Sequence, residues 1–174
     1  MTLPPTAPPA RPKSLVLALD DFVAALPPAG RLMGLDLGTK TIGVAVSDTT
    51  RLVASGLETV QRTKFTADAE HLGTLARTHA VTGLVIGLPV NLDGSAGPRV
   101  QSTKSFAALL GPKLGLPILL WDERWSTVSA ERALLEGDAS RRRRKEVIDK
   151  VAAVIILQGL LERLRELRRV AEAD

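Results

Sequence analysis

Three acidic residues lie at positions where their carboxylates could do chemistry. Asp36 interrupts the apolar run RLMGLDL (31–37), and burying an unpaired carboxylate in such a run would cost free energy. Glu123 follows shortly after the apolar run PILLW (117–121), and Asp149 lies near the start of the last helical pattern. If the three met, their oxygens could bind cations about 4 Å apart, the arrangement used in two-metal phosphodiester hydrolysis.

Each acid also has an ordinary structural explanation. Asp36 could pair with a basic side chain or cap the turn at Gly38. Glu123 could begin a solvated loop, although ligand groups do collect at the carboxyl ends of strands in open α/β sheets. Asp149 could be one of the acids that a helix dipole favours in a first turn. Together, three acids on three separate elements indicate a site built from oxygen ligands.

The composition narrows the choice of metal. The chain contains no cysteine, which excludes disulfides and thiolate zinc sites. Its two histidines, His71 and His79, lack the spacing of metal ligands. A metal here would need oxygen ligands, which favours Mg²⁺ or Mn²⁺. Asp36, Glu123 and Asp149 are therefore the candidate catalytic residues and metal ligands, and no organic cofactor is expected.

The apolar patterns that would position these acids predict an α/β protein. Strands are predicted where apolar residues alternate or run together, and helices where they recur every three or four residues. A meander followed by alternating helices and strands predicts a mixed five-stranded sheet with helices on both faces. Predicted strands cover 31–37, 41–48, 52–60, 83–88 and 117–121, and predicted helices cover 14–26, 65–79, 98–110, 127–136 and 146–169.

Two local features would let the acids approach one another. Because side chains alternate along a strand, Asp36 is predicted to share one strand face with Gly34. About one turn after Asp149 come Ala152 and Ala153, which are small enough to let the last helix pack close to the sheet. The sequence therefore predicts that Asp149 comes near Asp36.

One folded domain is expected, since 174 residues are ample for a single packed core. Residues 1–28 are expected to form a disordered tail plus a short docked helix, 29–165 the α/β domain, and 166–174 the C-terminal helix end and a tail. Prolines stand where a signal peptide would have a charged and an apolar segment, and no apolar run approaches the roughly 20 residues of a membrane span. A cytoplasmic location without membrane contact is expected.

The charge pattern favours a polyanionic partner. The formal net charge is +4 and the sequence pI is about 9.8. Only 3% of the residues are aromatic, so contacts to phosphate are expected to outweigh base stacking. The basic candidates also have a plain explanation as solvated side chains, including those of a predicted basic loop over 138–145. The residues expected to contact nucleic acid are Lys40, Arg124, Arg141, Arg142, Arg143, Arg144 and Lys145.

The chain resembles the YqgF/RuvX family over about residues 30–162. Members are described as pre-16S rRNA nucleases or Holliday-junction-resolvase-like proteins. The resemblance implies an RNase H-like fold and places the family's three acidic motifs on Asp36, Glu123 and Asp149. It further implies a metal-dependent nuclease that processes the 5′ end of pre-16S rRNA, with ribosomal precursor particles as partners, as a monomer or homodimer. The matching segments are GLDLGTKTIGVAVSD (34–48), GLPVNLDGSAG (87–97), WDERWST (121–127) and IDKVAAVIILQ (148–158).

Three other functions remain open at this point. The segment DLGT (36–39) is also typical of actin-like and sugar-kinase ATP-binding proteins, although those use two such domains and a second phosphate loop that this sequence lacks. The chain could instead be a non-catalytic ribosome-assembly factor that binds pre-rRNA through its basic run. Within the nuclease hypothesis, four-way DNA junctions compete with pre-rRNA as substrate, and symmetric junction cleavage would require a dimer.

Overall fold

The structure, a computed structural model, describes residues 14–91, 93–125 and 141–174. Its strands and helices mostly match the predicted positions to within a few residues. The strands are β1 (Val16–Leu17), β2 (Arg31–Leu37), β3 (Thr41–Ser47), β4 (Ala54–Gln61), β5 (Val81–Leu88) and β6 (Ile118–Asp122). The helices are α1 (Leu19–Ala25), α2 (Phe65–Thr78), α3 (Pro98–Leu114) and α4 (Arg141–Ala173), and a 3₁₀ turn covers Glu123–Trp125.

A mixed sheet organises these elements in the order β1-β6-β5-β2-β3-β4. The meander β2-β3-β4 is antiparallel, whereas β2, β5, β6 and β1 run parallel to one another. The predicted meander is confirmed: β2 and β3 form a hairpin, and the Gly38 amide closes its turn by donating to the Thr41 carbonyl at 2.8 Å. The carboxyl ends of β2, β5 and β6 consequently lie at one edge of the sheet.

The two faces of the sheet bury separate cores. In β2, Met33 and Leu35 belong to the core shared with α2 and α3, whereas Leu32 belongs to the core shared with α1 and α4. This alternation is the one expected of a strand that is covered on both faces. Fully buried side chains such as Ile156 and Leu157 of α4 each contribute about 1.5–3 kcal/mol through the hydrophobic effect.

Helix α4 lies unusually close to the centre of the sheet. A Cβ placed on Gly34 would lie 2.8 Å from Leu157 Cβ and 3.0 Å from the Ala153 carbonyl oxygen. Ala152 and Ala153 are themselves fully buried. The predicted close approach through small residues is therefore confirmed, and glycine on the strand side of the interface contributes to it.

The N-terminal segment differs from its prediction. Instead of one helix over 14–26, Val16–Leu17 form β1, which pairs in parallel with β6, and the helix covers only Leu19–Ala25. Strand β1 raises the count in the described residues from the predicted five to six. Two residues are too few to show a strand alternation, so their apolar spacing merges with that of the following helix.

The basic segment also differs from its prediction. Residues 141–145 were expected in a loop, but they form the first turns of α4. Arginine and lysine are good helix formers, and no glycine or proline stands between 138 and 158 to break a helix. Residues 138–140 and the predicted helix over 127–136 lie outside the described residues. Although α4 has 33 residues, no helix in the described part of the chain is long and apolar enough to cross a membrane.

Candidate active site

Asp36 lies on the face of the sheet that α4 covers, near the carboxyl end of β2. Its side chain is only 2% exposed. Both flanking strands place a glycine beside it: Gly43 is its partner in β3, and Gly87 of β5 lies one position beyond the Leu35–Ile86 pair. Neighbouring strands are about 4.8 Å apart and opposed residues share a face. The two glycines therefore leave room on either side of the carboxylate for groups from other elements.

Asp149, on α4, occupies the space on the β3 side of the Asp36 carboxylate. A Cβ on Gly43 would lie 1.9 Å from the Asp149 carbonyl oxygen, so the helix backbone rests directly on β3 at this point. The Asp149 side chain is 7% exposed and accepts a hydrogen bond from the hydroxyl of Thr41, which is also buried. Asp149 is thus one strand away from Asp36, and Thr41 holds its carboxylate in place.

Glu123 enters from the opposite side, on the 3₁₀ turn that follows β6. A Cβ on Gly87 would lie 2.8 Å from Glu123 Oε1 and 2.5 Å from Ile156 Cδ1. The Glu123 carboxylate therefore lies over β5, one strand from Asp36 on the side away from Asp149. As with Gly43, a glycine in the strand is what admits the acid.

The three predicted acids are thereby brought to one end of one sheet face, in the order Asp149, Asp36, Glu123 across β3, β2 and β5. In the arrangement seen here, no three His, Cys, Asp or Glu side chains of residues 14–91, 93–125 and 141–174 form a group that could hold a metal ion. Carboxylates collected at one end of a sheet face repel one another, which favours the binding of cations between them. The oxygen-only donor set, including the Thr41 hydroxyl, suits hard cations such as Mg²⁺ or Mn²⁺.

Comparison with known proteins identifies the family of the chain. A family model described as RuvX, Holliday junction resolvase, matches residues 30–163. The chain belongs to the RuvX family. The resemblance stated from the sequence is confirmed by that match, which spans the whole sheet from β2 onward and most of α4.

Curated relatives of this RuvX chain carry the name "Putative pre-16S rRNA nuclease". One from Paracoccus denitrificans is 62% identical over 151 residues, which cover 87% of this chain and 96% of the relative. One from Roseobacter denitrificans is 62% identical over 156 residues, which cover 88% and 94%. Among solved structures, Thermus thermophilus RuvC matches with a TM-score of 0.51 and 14% identity, covering 78% of this chain and 96% of that chain. The RuvC match confirms the RNase H-like fold.

Next to Glu123, the RuvX chain contains an ion pair between the buried Asp122 and the exposed Arg124. Arg124 Nη2 lies 2.6 Å from Asp122 Oδ2, and Arg124 Nε donates to both carboxylate oxygens at 3.1 Å. The side-chain hydrogen bond from Arg124 holds the pKa of Asp122 below its ordinary value, and Asp122 in turn raises the pKa of Arg124. Arg124 therefore pairs with Asp122, and its contact with nucleic acid stays a prediction.

The loop after β5 approaches the same arginine. A Cβ on Gly94 would lie 3.2 Å from Arg124 Nη1. Asp93 accepts hydrogen bonds from the amide and hydroxyl of Ser95, and Asn91 donates to that hydroxyl at 3.0 Å. Hydrogen bonding from the Ser95 hydroxyl lowers the pKa of Asp93. The contacts of Asn91 and Asp93 are therefore those of a turn.

The remaining basic candidates lie at the same end of the domain. Lys40 is exposed on the β2–β3 turn, two residues beyond the Gly38 that closes it. The backbone of 141–145 precedes Asp149 on α4, and the side chains of those residues are outside the described part of the chain. Their contacts with nucleic acid stay predictions.

Sequence reasoning missed Thr41, Gly43 and Gly87. A glycine inside a strand often marks the close approach of another backbone, and Gly43 carries that signal in TIGVAVS. The role of Gly43 follows from its pairing with Asp36, and the register of the β2–β3 hairpin determines that pairing. Nothing local marks Gly87, because its role depends on the parallel pairing of β2 with β5 across more than fifty residues.

Proposed function

We propose that this RuvX chain is a metal-dependent nuclease that processes the 5′ end of pre-16S rRNA. The observation that carries the proposal is the placement of buried Asp36 between Gly43 and Gly87, with Asp149 and Glu123 reaching the same sheet face from either side. The name of the curated relatives supports pre-16S rRNA as the substrate.

Asp36, Glu123 and Asp149 are proposed as the metal ligands and catalytic residues. When bound, Mg²⁺ or Mn²⁺ would supply an activated water and would neutralise charge on the leaving oxygen. Asp36 is fixed by its strand and Asp149 by Thr41, so two of the three ligands are held by rigid elements. Because the three acids do not yet form a metal-binding group, we expect the Glu123 side chain, on its 3₁₀ turn, to rotate toward Asp36 when metal binds.

The substrate would reach the acids along the carboxyl edge of the sheet. Lys40 and Arg124, with the basic run 141–145, would hold the phosphate backbone as sequence-independent charges. Ribosomal precursor particles in the cytoplasm are the expected setting. A monomer suffices to cut one strand, whereas a homodimer would be needed to cut a junction symmetrically.

A second candidate, cleavage of four-way DNA junctions, is favoured by the description of the matching family model. Both candidates are tested by incubating the chain with a fragment spanning the precursor 5′ end of 16S rRNA and, separately, with a four-way junction. Each reaction is run with Mg²⁺, with Mn²⁺ and with chelator. We expect metal-dependent cleavage of the rRNA fragment; cleavage of the junction alone would replace the first candidate by the second. Cleavage of neither, or equal cleavage in chelator, would contradict the proposal.

A further inference from the structure

A polar cavity lies beside the carboxyl end of β2, on the opposite face of the sheet from Asp36. Its volume is about 390 Å³. Leu37, the residue after Asp36, belongs to the core on that opposite face and forms part of the cavity wall. The cavity and the candidate active site are therefore separated only by the end of one strand. The polar residues that line it are Thr39, Arg62, Thr63, Arg99, Ser102 and Thr103.

Two guanidinium groups dominate the charge of this cavity. Arg62 donates to the Gly38 carbonyl oxygen at 2.5 Å, and its guanidinium lies 5.5 Å from the centroid of the Phe106 ring. Arg99 donates to the Leu37 carbonyl oxygen at 3.4 Å. A guanidinium has five N–H donors, so each arginine keeps most of its donors for another acceptor.

No acidic side chain of the described residues lines the cavity, and neither arginine forms a salt bridge with an acid among them. Asp68 contacts the cavity wall through Thr63, but its carboxylate accepts hydrogen bonds from the Thr63 amide and hydroxyl. Two cations thus face a polar space without a neutralising partner in the described chain, and an arrangement of this kind favours a bound anion.

We infer that this cavity binds a phosphate group of the nucleic-acid strand, beside the phosphodiester that is cut. Guanidinium groups match the geometry of phosphate oxygens, and Phe106 and the two backbone carbonyls hold these guanidinium groups in place. The strand would pass over the β2–β3 turn, which lies between the cavity and Asp36. The inference rests on the proposed nuclease function, and it adds a contact that positions the strand independently of base sequence.

The test measures binding of a short fluorescent single-stranded RNA by anisotropy, in chelator and over a series of salt concentrations. The variant Arg62→Ala/Arg99→Ala is compared with Arg165→Ala/Arg169→Ala, which removes the same charge from exposed positions on α4 far from the site. If both guanidiniums hold one phosphate, the slope of log affinity against log salt falls by about 0.7 in the first variant. Affinity falls roughly 10- to 100-fold, the effect of losing a hydrogen bond to a charged group. The control keeps the parent slope.

Because Arg62→Ala also removes the Phe106 contact, a second pair of variants leaves both arginines intact. Ser102→Glu places a negative charge at the cavity, and Ala108→Glu places one on an exposed position of α3 outside it. We expect weaker RNA binding for Ser102→Glu only. Parent-like affinity and salt slope in both Ser102→Glu and the double arginine variant would overturn the inference.

A cleavage assay of Asp36→Asn in Mg²⁺, run beside the binding titration, separates this inference from the proposed function. If the arginine variants bind weakly while Asp36→Asn cuts RNA at the parent rate, the phosphate subsite stands and the proposed catalytic site is wrong. If Asp36→Asn loses cleavage while the arginine variants bind as the parent does, the proposed function stands and the subsite is wrong. A parent chain that binds no RNA would overturn both.

Discussion

The contact between Gly43 and Asp149 offers the most specific test of the packing that builds the site. In Gly43→Ala, the new Cβ would lie 1.9 Å from the Asp149 carbonyl oxygen, and that atom belongs to helix backbone rather than to a flexible side chain. Real Cβ contacts essentially never fall below 3.0 Å, so helix and strand must separate locally by about 1.1 Å. The carboxylate of Asp149 would move with its backbone, away from Asp36.

The expected magnitudes follow from this displacement. Overpacking of a core contact typically costs about 1–3 kcal/mol, and the loss of glycine flexibility in the unfolded chain offsets about 0.4–1 kcal/mol of it. A catalytic group misplaced by about 1 Å can cost roughly 100-fold in rate. Gly43→Ala should therefore be modestly less stable and severely less active.

Gly56→Ala is the matched control for this substitution. Gly56 lies in β4 and also faces α4, but a Cβ there would lie 3.5 Å from the flexible Lys150 side chain, an ordinary contact. It should be neutral or stabilising by about 0.4–1 kcal/mol and should keep the parent rate. The assay is urea unfolding together with single-turnover cleavage of the rRNA fragment. The packing argument is refuted if Gly43→Ala matches Gly56→Ala in both measurements.

Three further predictions test neighbouring contacts. Thr41→Val, which removes the hydroxyl that donates to Asp149, should slow single-turnover cleavage about 10-fold or more, whereas Thr41→Ser should not; equal rates would contradict a positioning role. Gly87→Ala should displace Glu123 and reduce cleavage, while Gly97→Ala, whose Cβ would lie 3.7 Å from Asn91 Nδ2, should not; an active Gly87→Ala would contradict the placement of Glu123. In Arg124→Gln, the Asp122 pKa measured by NMR should rise toward 3.8, its ordinary value. Because that pKa is depressed in the folded parent, ionised Asp122 stabilises the fold at neutral pH, and this stability is lost as the pH falls below 3.8 through the folded pKa. The variant should therefore lose less stability than the parent on acidification. An unchanged Asp122 pKa in the variant would mean that the ion pair does not persist in solution.

Local patterns were sufficient to predict most of the sheet. The alternation in β2 correctly placed Asp36 on the face opposite Met33 and Leu35, and the small residues Ala152 and Ala153 correctly predicted the close approach of α4. These two predictions were correct because strand alternation and residue size depend only on residues that are close together in the sequence.

The features that sequence reasoning missed depend on distant contacts. Strand β1 exists because Val16–Leu17 find the free edge of β6, about a hundred residues away. The cavity beside Leu37 joins Arg62 to Arg99, and neither residue belongs to a local motif. The start of α4 differs from its prediction for another reason: a run of like charges is typical of a loop, but arginine and lysine are also good helix formers, and here they form the first turns of the helix.

The central claim is that Asp36, held between two glycines, is a catalytic metal ligand. The most direct test is single-turnover cleavage of the rRNA fragment in Mg²⁺ by Asp36→Asn, beside Asp20→Asn, which removes an exposed acid from α1. The account predicts that Asp36→Asn stays folded, with stability equal to or above that of the parent because a repelling charge is gone, and that its cleavage falls to the level seen in chelator. Cleavage by folded Asp36→Asn at the rate of the parent and of Asp20→Asn would contradict it.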